Sequence, residues 1–212
     1  MRIVIAGGHG KIALLLSRQL ANTGHEPVGI IRNADQATDL RSAGAIPLVL
    51  DLEHSTIDDV AAALAGADAA IFAAGSGAGG GNDRKFSLDR DGAILLTDAA
   101  LEAGVTRLIV ISSVGADSYD AASDDPFQIY LRAKGEADTA VRERDLDWTI
   151  VRPVTLTDEP GTGGISLGRG GGTIPRADVA AVVVELLDGL GLRKVFEVSA
   201  GPLGLGEALR AL

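Results

Sequence analysis

Short apolar runs alternate with longer amphipathic segments along the whole chain. The apolar runs predict seven strands, at residues 2–6, 27–31, 46–50, 69–73, 107–111, 148–152 and 195–199. The intervening segments predict helices at about 11–22, 34–43, 56–65, 84–103, 127–144, 176–187 and 204–211. Strands that read as continuous Val, Ile and Leu runs between helices are typical of a parallel sheet covered on both faces. Because such crossovers are right-handed, we expect a doubly wound, Rossmann-type α/β sheet of order 3-2-1-4-5-6, with the seventh strand at its edge.

The length and composition predict one domain that spans residues 1–212. The chain is 46% hydrophobic and contains 28 glycines, which fits a well-packed α/β domain. Two glycine-rich segments, 75–82 and 160–173, follow strands at their carboxyl ends, where such sheets bind ligands. We expect neither segment to contribute to the core.

Several functions are excluded or disfavoured by composition. The chain has no cysteine, so disulfides and thiolate chemistry are excluded, and its three histidines are isolated in sequence, which disfavours a metal site. A net charge of −10 argues against nucleic acid or an anionic membrane as a partner. No apolar run approaches about 18 residues and no signal peptide precedes the first strand, so we expect a cytoplasmic protein, either a monomer or a homodimer.

The first strand leads directly into a glycine motif, Gly7-x-x-Gly10-x-x-Ala13. In this position the motif indicates a dinucleotide site: Gly7 permits the turn, Gly10 permits close approach of a pyrophosphate, and Ala13 lets the helix pack on the strand. A P-loop is excluded, because Ile12 stands where a Ser or Thr would bind magnesium.

Residues after the second and third strands predict the choice of dinucleotide. The second strand ends in Arg32 and carries no carboxylate to bind a ribose 2′-hydroxyl, so we expect NADP(H) in preference to NAD(H), with Lys11 as a second cation. Asp51 is either an adenine contact or a turn residue. His9 either touches a phosphate or fills the glycine turn.

Three further segments carry chemistry-bearing residues. They are Arg107-Leu-Ile-Val-Ile-Ser112-Ser113, Tyr130-Leu-Arg-Ala-Lys134 and Trp148-Thr-Ile-Val-Arg152-Pro153. Residues four apart share a helix face, so the ammonium of Lys134 is expected beneath the phenol of Tyr130, where it favours the ionised form and makes the tyrosine usable as an acid or base.

Together with the glycine motif, these segments resemble the atypical short-chain dehydrogenase/reductases, and the resemblance runs nearly end to end. The nearest likeness is to the small single-domain NAD(P)H-binding proteins of the NmrA-like and biliverdin-reductase-B/flavin-reductase groups. The resemblance implies that Ser113 orients a substrate carbonyl, that Tyr130 transfers the proton, and that Lys134 also holds the nicotinamide ribose. The cofactor contacts that we expect are Gly7, His9, Gly10, Lys11, Ile12, Arg32, Asp51, Leu52, Ala74, Gly75, Ser76, Ser112, Lys134 and Pro153.

The sequence departs from that family at several places. Ala73-Ala74-Gly75-Ser76 replaces Asn-Asn-Ala-Gly, so the relay asparagine is missing, and Val154 follows Arg152-Pro153 where the family has glycine. Asp89, Asp91 and Asp98 are spaced along a predicted helix, and we expect a solvated face from them rather than a metal cluster.

Two functions therefore stay open. The first is an NADPH-dependent reductase of a small-molecule carbonyl, quinone or flavin-like acceptor, whose pocket is expected from residues 75–88, 113–127 and 154–173. The second is a non-catalytic NADP(H)-binding redox sensor. A nucleotide-sugar epimerase is disfavoured, because so short a chain lacks the usual substrate lobe.

Overall fold

The computed structural model describes residues 1–77, 81–168 and 170–212, and its regular elements follow the apolar pattern of the sequence. The strands are β1 (Arg2–Ala6), β2 (Glu26–Ile31), β3 (Ile46–Val49), β4 (Ala69–Phe72), β5 (Arg107–Ile111), β6 (Asp147–Pro153), β7 (Thr155–Thr157), β8 (Gly164–Leu167), β9 (Thr173–Pro175), β10 (Lys194–Ala200) and β11 (Leu203–Gly204). The helices are α1 (Lys11–Asn22), α2 (Ala37–Ser42), α3 (Ile57–Leu64), α4 (Asn82–Arg84), α5 (Asp91–Glu102), α6 (Pro126–Arg142), α7 (Arg176–Leu186) and α8 (Leu205–Leu209). A 3-10 turn (Ala34–Gln36) precedes α2, and a π-helix (Lys85–Arg90) joins α4 to α5.

The main sheet has the order β11-β8-β10-β6-β5-β4-β1-β2-β3. The predicted order 3-2-1-4-5-6 is confirmed, and β10 continues it by pairing in parallel with β6. The prediction that this seventh strand forms the edge is wrong, because β8 and β11 extend the sheet beyond it in the antiparallel sense. The strand order reverses direction between β1 and β4, and such a switch point opens a crevice at the carboxyl ends of these strands.

The core lies on both faces of the sheet, because successive strand residues point to opposite sides. In β1, Ile3 and Ile5 pack on the face covered by α1 and α7, whereas Val4 packs with the residues of α3 and α5. All three side chains are completely buried. Burial of a side chain of this size stabilises the fold by about 1.5–3 kcal/mol.

The two glycine-rich segments behave differently from the prediction in one respect. Segment 160–173 contributes to the core after all, because β8 lies within it and places the side chain of Ile165, completely buried, against β10. Residues 78–80 of the other segment, and Arg169, lie outside the described residues.

Two features are absent from the described residues, a membrane-spanning helix and a cluster of metal ligands. No helix in the described part of the chain is long and apolar enough to cross a membrane. The described side chains likewise include no group of three or more His, Asp or Glu that could hold a metal ion.

Candidate functional site

A cleft of about 1200 Å³ runs along the carboxyl ends of the central parallel strands. This volume exceeds the roughly 300–1,000 Å³ that is typical of a pocket for one drug-sized molecule. The structure brings every predicted site residue to its walls: Gly7, His9, Gly10, Lys11, Ile12, Arg32, Asp51, Leu52, Ala74, Gly75, Ser76, Ser112, Ser113, Tyr130, Lys134 and Pro153. The roles assigned to these residues stay predictions, but their convergence on one cleft fits a dinucleotide and part of a small substrate.

The glycine turn between β1 and α1 leaves no room for a side chain at Gly7. Gly7 has a φ of +80°, and a Cβ there would lie 2.5 Å from the Cα of Ala74. Gly10 is the N-cap of α1 and provides no side-chain cap, so the first amides of the helix are open to an anion. The residues present therefore fit the pyrophosphate of a dinucleotide.

Gly8 is a second close contact, which the sequence reading missed. Its amide donates to the carbonyl of Ile30 at 2.8 Å, and a Cβ on Gly8 would lie 2.6 Å from the Cα of Gly29. The available signal was Gly29 itself, because a glycine inside a buried strand often marks the close approach of another backbone. This contact fixes the glycine turn against β2.

The basic side chains beside the glycine turn contact carboxylates. Nε2 of His9 lies 2.8 Å from Asp39 of α2, and Nζ of Lys11 lies 2.5 Å from Asp158. Asp158 also accepts a hydrogen bond of 2.7 Å from Arg176, at the start of α7. The hydrogen bond from Lys11 holds the pKa of Asp158 below its usual range, and Arg176 adds to the effect. Arg176 lines the cleft and was not predicted as a site residue.

Arg32 directly follows β2, and a carboxylate lies beside it. Its side chain is 56% exposed, and its Nη1 lies 3.7 Å from Oε2 of Glu53. Glu53 also accepts hydrogen bonds from Nε of Arg84 at 2.9 Å and from Oγ of Ser87 at 2.6 Å. Burial acts to raise the pKa of Glu53, but the bonds from Ser87 and Arg84 outweigh it and lower the pKa. Glu53 was not predicted, and Arg84 was predicted only as part of the pocket segment 75–88. Their ion pair joins residues 31 positions apart in the chain, which the sequence alone does not bring together.

Asp51 uses its carboxylate within its own turn. Oδ1 accepts the amide of Glu53 at 3.1 Å, and Oδ2 lies 2.9 Å from Nδ1 of His54. These contacts lower the pKa of Asp51 although burial acts to raise it. Asp51 is therefore a turn residue, and its contact with adenine stays a prediction.

Lys134 is buried in the floor of the cleft and forms an ion pair that the sequence did not predict. Its Nζ lies 3.2 Å from Oδ1 of Asp89 and 3.4 Å from the carbonyls of Ala74 and Ile111, but 5.9 Å from the ring centre of Tyr130. Burial acts to lower the pKa of Lys134, but the charges of Tyr130 and Asp89 outweigh it and raise the pKa above its usual value. The ammonium thus bridges the strand ends and the tyrosine helix.

The expectation that Asp89 belongs to a solvated face is wrong. Asp89 is completely buried, and its Oδ2 accepts the amide of Ser76 at 2.9 Å. The reason is the π-helix at Lys85–Arg90, whose wider turn departs from the 3.6-residue period on which the prediction relied. Such segments occur frequently at functional sites.

The two serines after β5 point in different directions. The hydroxyl of Ser112 donates to Oδ2 of Asp138 at 2.8 Å, and Arg152 donates to the same oxygen from Nε and Nη2 at 2.9 and 2.7 Å. Burial outweighs these contacts and raises the pKa of Asp138. The hydroxyl of Ser113 reaches only the neighbouring carbonyl of Val114, at 3.2 Å, and Ser113 is half-buried in the cleft wall.

Tyr130 is half-buried and lines the cleft. The ring of Phe127, which is 56% exposed, stacks on it with centres 6.1 Å apart and an interplanar angle of 26°. No hydrogen bond joins the Tyr130 hydroxyl to another group within the described ranges. The hydroxyl is therefore available to a ligand that enters the cleft.

Comparisons with known proteins agree with this geometry. The model of the family described as NAD(P)H-binding matches residues 7–189. A Bacillus subtilis protein called an uncharacterized sugar epimerase is 35% identical over 216 residues, with 100% of both chains covered. Among solved structures, a putative NAD-dependent epimerase/dehydratase from Bacillus halodurans is 37% identical, with a TM-score of 0.92 and 100% of both chains covered. ChuY from Escherichia coli O157:H7, described as an anaerobillin reductase, is 26% identical, with a TM-score of 0.79 and coverage of 96% of this chain and 98% of that one.

Proposed function

This chain belongs to the NAD(P)H-binding family, and from that premise we propose that it reduces a carbonyl, quinone or flavin-like acceptor with NADPH. The observation that carries the proposal is the convergence of Ser113, Tyr130 and Lys134 on the cleft that the glycine turn opens. When bound, NADPH supplies the hydride. A reductase among the solved structures similar to this chain supports the same reaction class.

The preference for NADPH over NADH rests on charge near the end of β2. Arg32 and Arg84 both flank Glu53, and Arg32 also interacts with the carboxylate of Asp51. The side chain of Arg32 is 56% exposed and lies 3.7 Å from Glu53, so its guanidinium is accessible to a ligand phosphate. A guanidinium is well suited to a 2′-phosphate, because its forked N–H groups bind phosphate oxygens with charge-assisted hydrogen bonds.

The reacting end of the cleft supplies a proton donor and a hydrogen-bond donor for the acceptor. Tyr130 has its hydroxyl free of described partners, and the ammonium of Lys134, held by Asp89, stabilises the phenolate that remains after proton transfer. The hydroxyl of Ser113 exchanges its bond to Val114 for one to the acceptor oxygen and orients it.

A second candidate function is the NADP(H)-binding sensor without turnover. Two observations favour it. The Lys134 ammonium lies 5.9 Å from the ring centre of Tyr130 but only 3.2 Å from Asp89, and the relay asparagine is missing. The relatives named as epimerases make sugar epimerisation a third reaction to assay. Each is matched over 100% of both chains, which weakens the argument against epimerisation from chain length.

The experiment that tests the proposal follows NADPH oxidation with aldehyde, quinone and flavin acceptors. The wild type should turn over at least one of these, Tyr130→Phe should lose turnover while keeping NADPH affinity within a few-fold, and Tyr119→Phe should behave as the wild type. Tyr119 is the other tyrosine of the chain and does not line the cleft in the described structure. Binding of NADPH without turnover of any acceptor favours the sensor, and full turnover by Tyr130→Phe contradicts the catalytic role.

A further inference from the structure

Lys85 is a largely buried cation in the wall of the cleft, and the proposed chemistry gives it no role. It begins the π-helix and is only 8% exposed. Its Nζ donates to Oδ1 of Asn82 at 3.0 Å and to the carbonyl of Pro126 at 2.8 Å. Both acceptors are neutral.

Lys85 differs from the other cations of the cleft in lacking a counter-ion. Lys11, Arg32, Arg84, Lys134 and Arg176 each pair with a carboxylate. Within residues 1–77, 81–168 and 170–212, Lys85 forms no such ion pair. A buried ammonium without a counter-ion is unfavourable, because the charge has lost most of its hydration. The ammonium has three N–H groups and two are used, so one remains for a ligand oxygen.

The position of Lys85 places this free N–H group near the reacting end of the cleft. The carbonyl that it binds, that of Pro126, lies one helical turn before Tyr130, and Lys85 itself lies four residues before Asp89. The two helices therefore face each other with Lys85 opposite Pro126 and Asp89 opposite Lys134. An anion at Lys85 therefore lies next to the first turn of α6, one helical turn before Tyr130.

We propose that Lys85 is a specificity-determining residue that binds a carboxylate of the substrate. The carboxylate supplies the charge that balances the ammonium, and the exposed ring of Phe127, stacked on Tyr130, offers an apolar surface beside it. This inference rests on the proposed function for the identity of the ligand as a substrate.

The test measures binding rather than turnover, so that it does not depend on finding the natural acceptor. Protein saturated with NADP⁺ is titrated with naphthoate and with naphthamide, its neutral counterpart, by calorimetry. The wild type should bind naphthoate about ten- to a hundredfold more tightly, as expected for one charge-assisted hydrogen bond. Lys85→Met should abolish this difference, and Lys85→Arg should keep most of it. Lys194→Met, at an exposed position at the start of β10, should match the wild type.

Three outcomes would overturn the proposal. The first is equal affinity of the wild type for the two probes, which includes binding of neither. The second is an unchanged preference for naphthoate in Lys85→Met. The third is a loss of NADP⁺ affinity in Lys85→Met that matches the loss of naphthoate affinity. The last result would assign the ammonium to the cofactor. Thermal unfolding of each variant checks that it is folded. A preference for naphthoate in a protein that reduces no acceptor would keep the anion site and reject the reductase.

Discussion

Replacement of Asp89 by asparagine removes one buried charge and leaves the shape of the side chain nearly unchanged. Oδ1 of Asp89 lies 3.2 Å from Nζ of Lys134, and the two side chains are 0% and 4% exposed. The amide oxygen of an asparagine can still accept the amide of Ser76, as Oδ2 does now. The substitution therefore isolates the ion pair from the backbone contact.

The expected cost follows from the burial of both partners. Removal of one partner of a buried pair leaves an uncompensated charge and costs about 3–5 kcal/mol, which in a chain of this length lowers the melting temperature by roughly 6–20 °C. The charge of Asp89 also helps to raise the pKa of Lys134 above its ordinary 10.5. A raised lysine pKa stabilises the fold fully below pH 10.5, and this contribution is lost as the pH rises through the folded-state pKa.

The assay is urea unfolding of the wild type, Asp89→Asn, Asp89→Asn/Lys134→Met and the control Asp91→Asn, at neutral and at alkaline pH. Asp91 pairs with Arg90 at the surface, so its replacement should cost less than about 1 kcal/mol. The double variant should recover most of the stability, because it removes the orphaned ammonium. The reasoning is refuted if Asp89→Asn costs no more than Asp91→Asn, or if loss of the lysine restores nothing.

Three further predictions concern the nucleotide end of the cleft. Arg32→Ala should weaken the binding of NADPH about tenfold and change the binding of NADH by no more than about twofold. Tenfold is the low end for a charge-assisted contact, because the side chain is 56% exposed. Equal weakening of both nucleotides in fluorescence titrations would exclude a contact of Arg32 with the 2′-phosphate. Gly7→Ala should cost about 2–5 kcal/mol in denaturant unfolding, from a φ of +80° and a Cβ only 2.5 Å from the Cα of Ala74. Gly24 has a φ of +82° but open space around it, so Gly24→Ala should cost only the backbone strain. A similar loss of stability in the two variants would show that the contact between Cβ and Ala74 is relieved in Gly7→Ala. The lowered pKa of Glu53 stabilises the fold above pH 4.5, its ordinary pKa, and this stabilisation is lost as the pH falls through the folded-state pKa. Glu53→Gln should therefore lose less unfolding free energy on acidification than the wild type. Parallel acid profiles of the two proteins would contradict this.

The predictable part of the fold is the part with long, regular patterns. Each of the seven apolar runs became a strand, because a buried parallel strand must be apolar on both faces. The short strands were missed, because β8 and β11 have four and two residues and are held by pairing rather than by their own composition. Ile165 shows the consequence, since it is completely buried in a segment that reads as a glycine loop.

The predictable part of the site is the part encoded by local motifs. Gly7 and Lys134 line one cleft because strand ends of a doubly wound sheet converge there. The burial of Asp89 was not predicted, because a π-helix changes the residues that face inward. Lys85 lies in the predicted pocket segment 75–88, but its contact with the carbonyl of Pro126 on α6 arises only in the fold. Glu53 could not be recognised as a site residue, because its ion pairs with Arg32 and Arg84 form only in the folded chain.

The central claim is that the cleft binds NADP(H), and a paired titration of the purified protein with NADPH and NADH tests it most directly. Nicotinamide fluorescence reports the binding of both nucleotides under identical conditions. Our account predicts saturable binding of NADPH that is about tenfold or more tighter than that of NADH, through the charge at Arg32. Equal or tighter binding of NADH would contradict the 2′-phosphate assignment, and binding of neither nucleotide would contradict the account of the cleft.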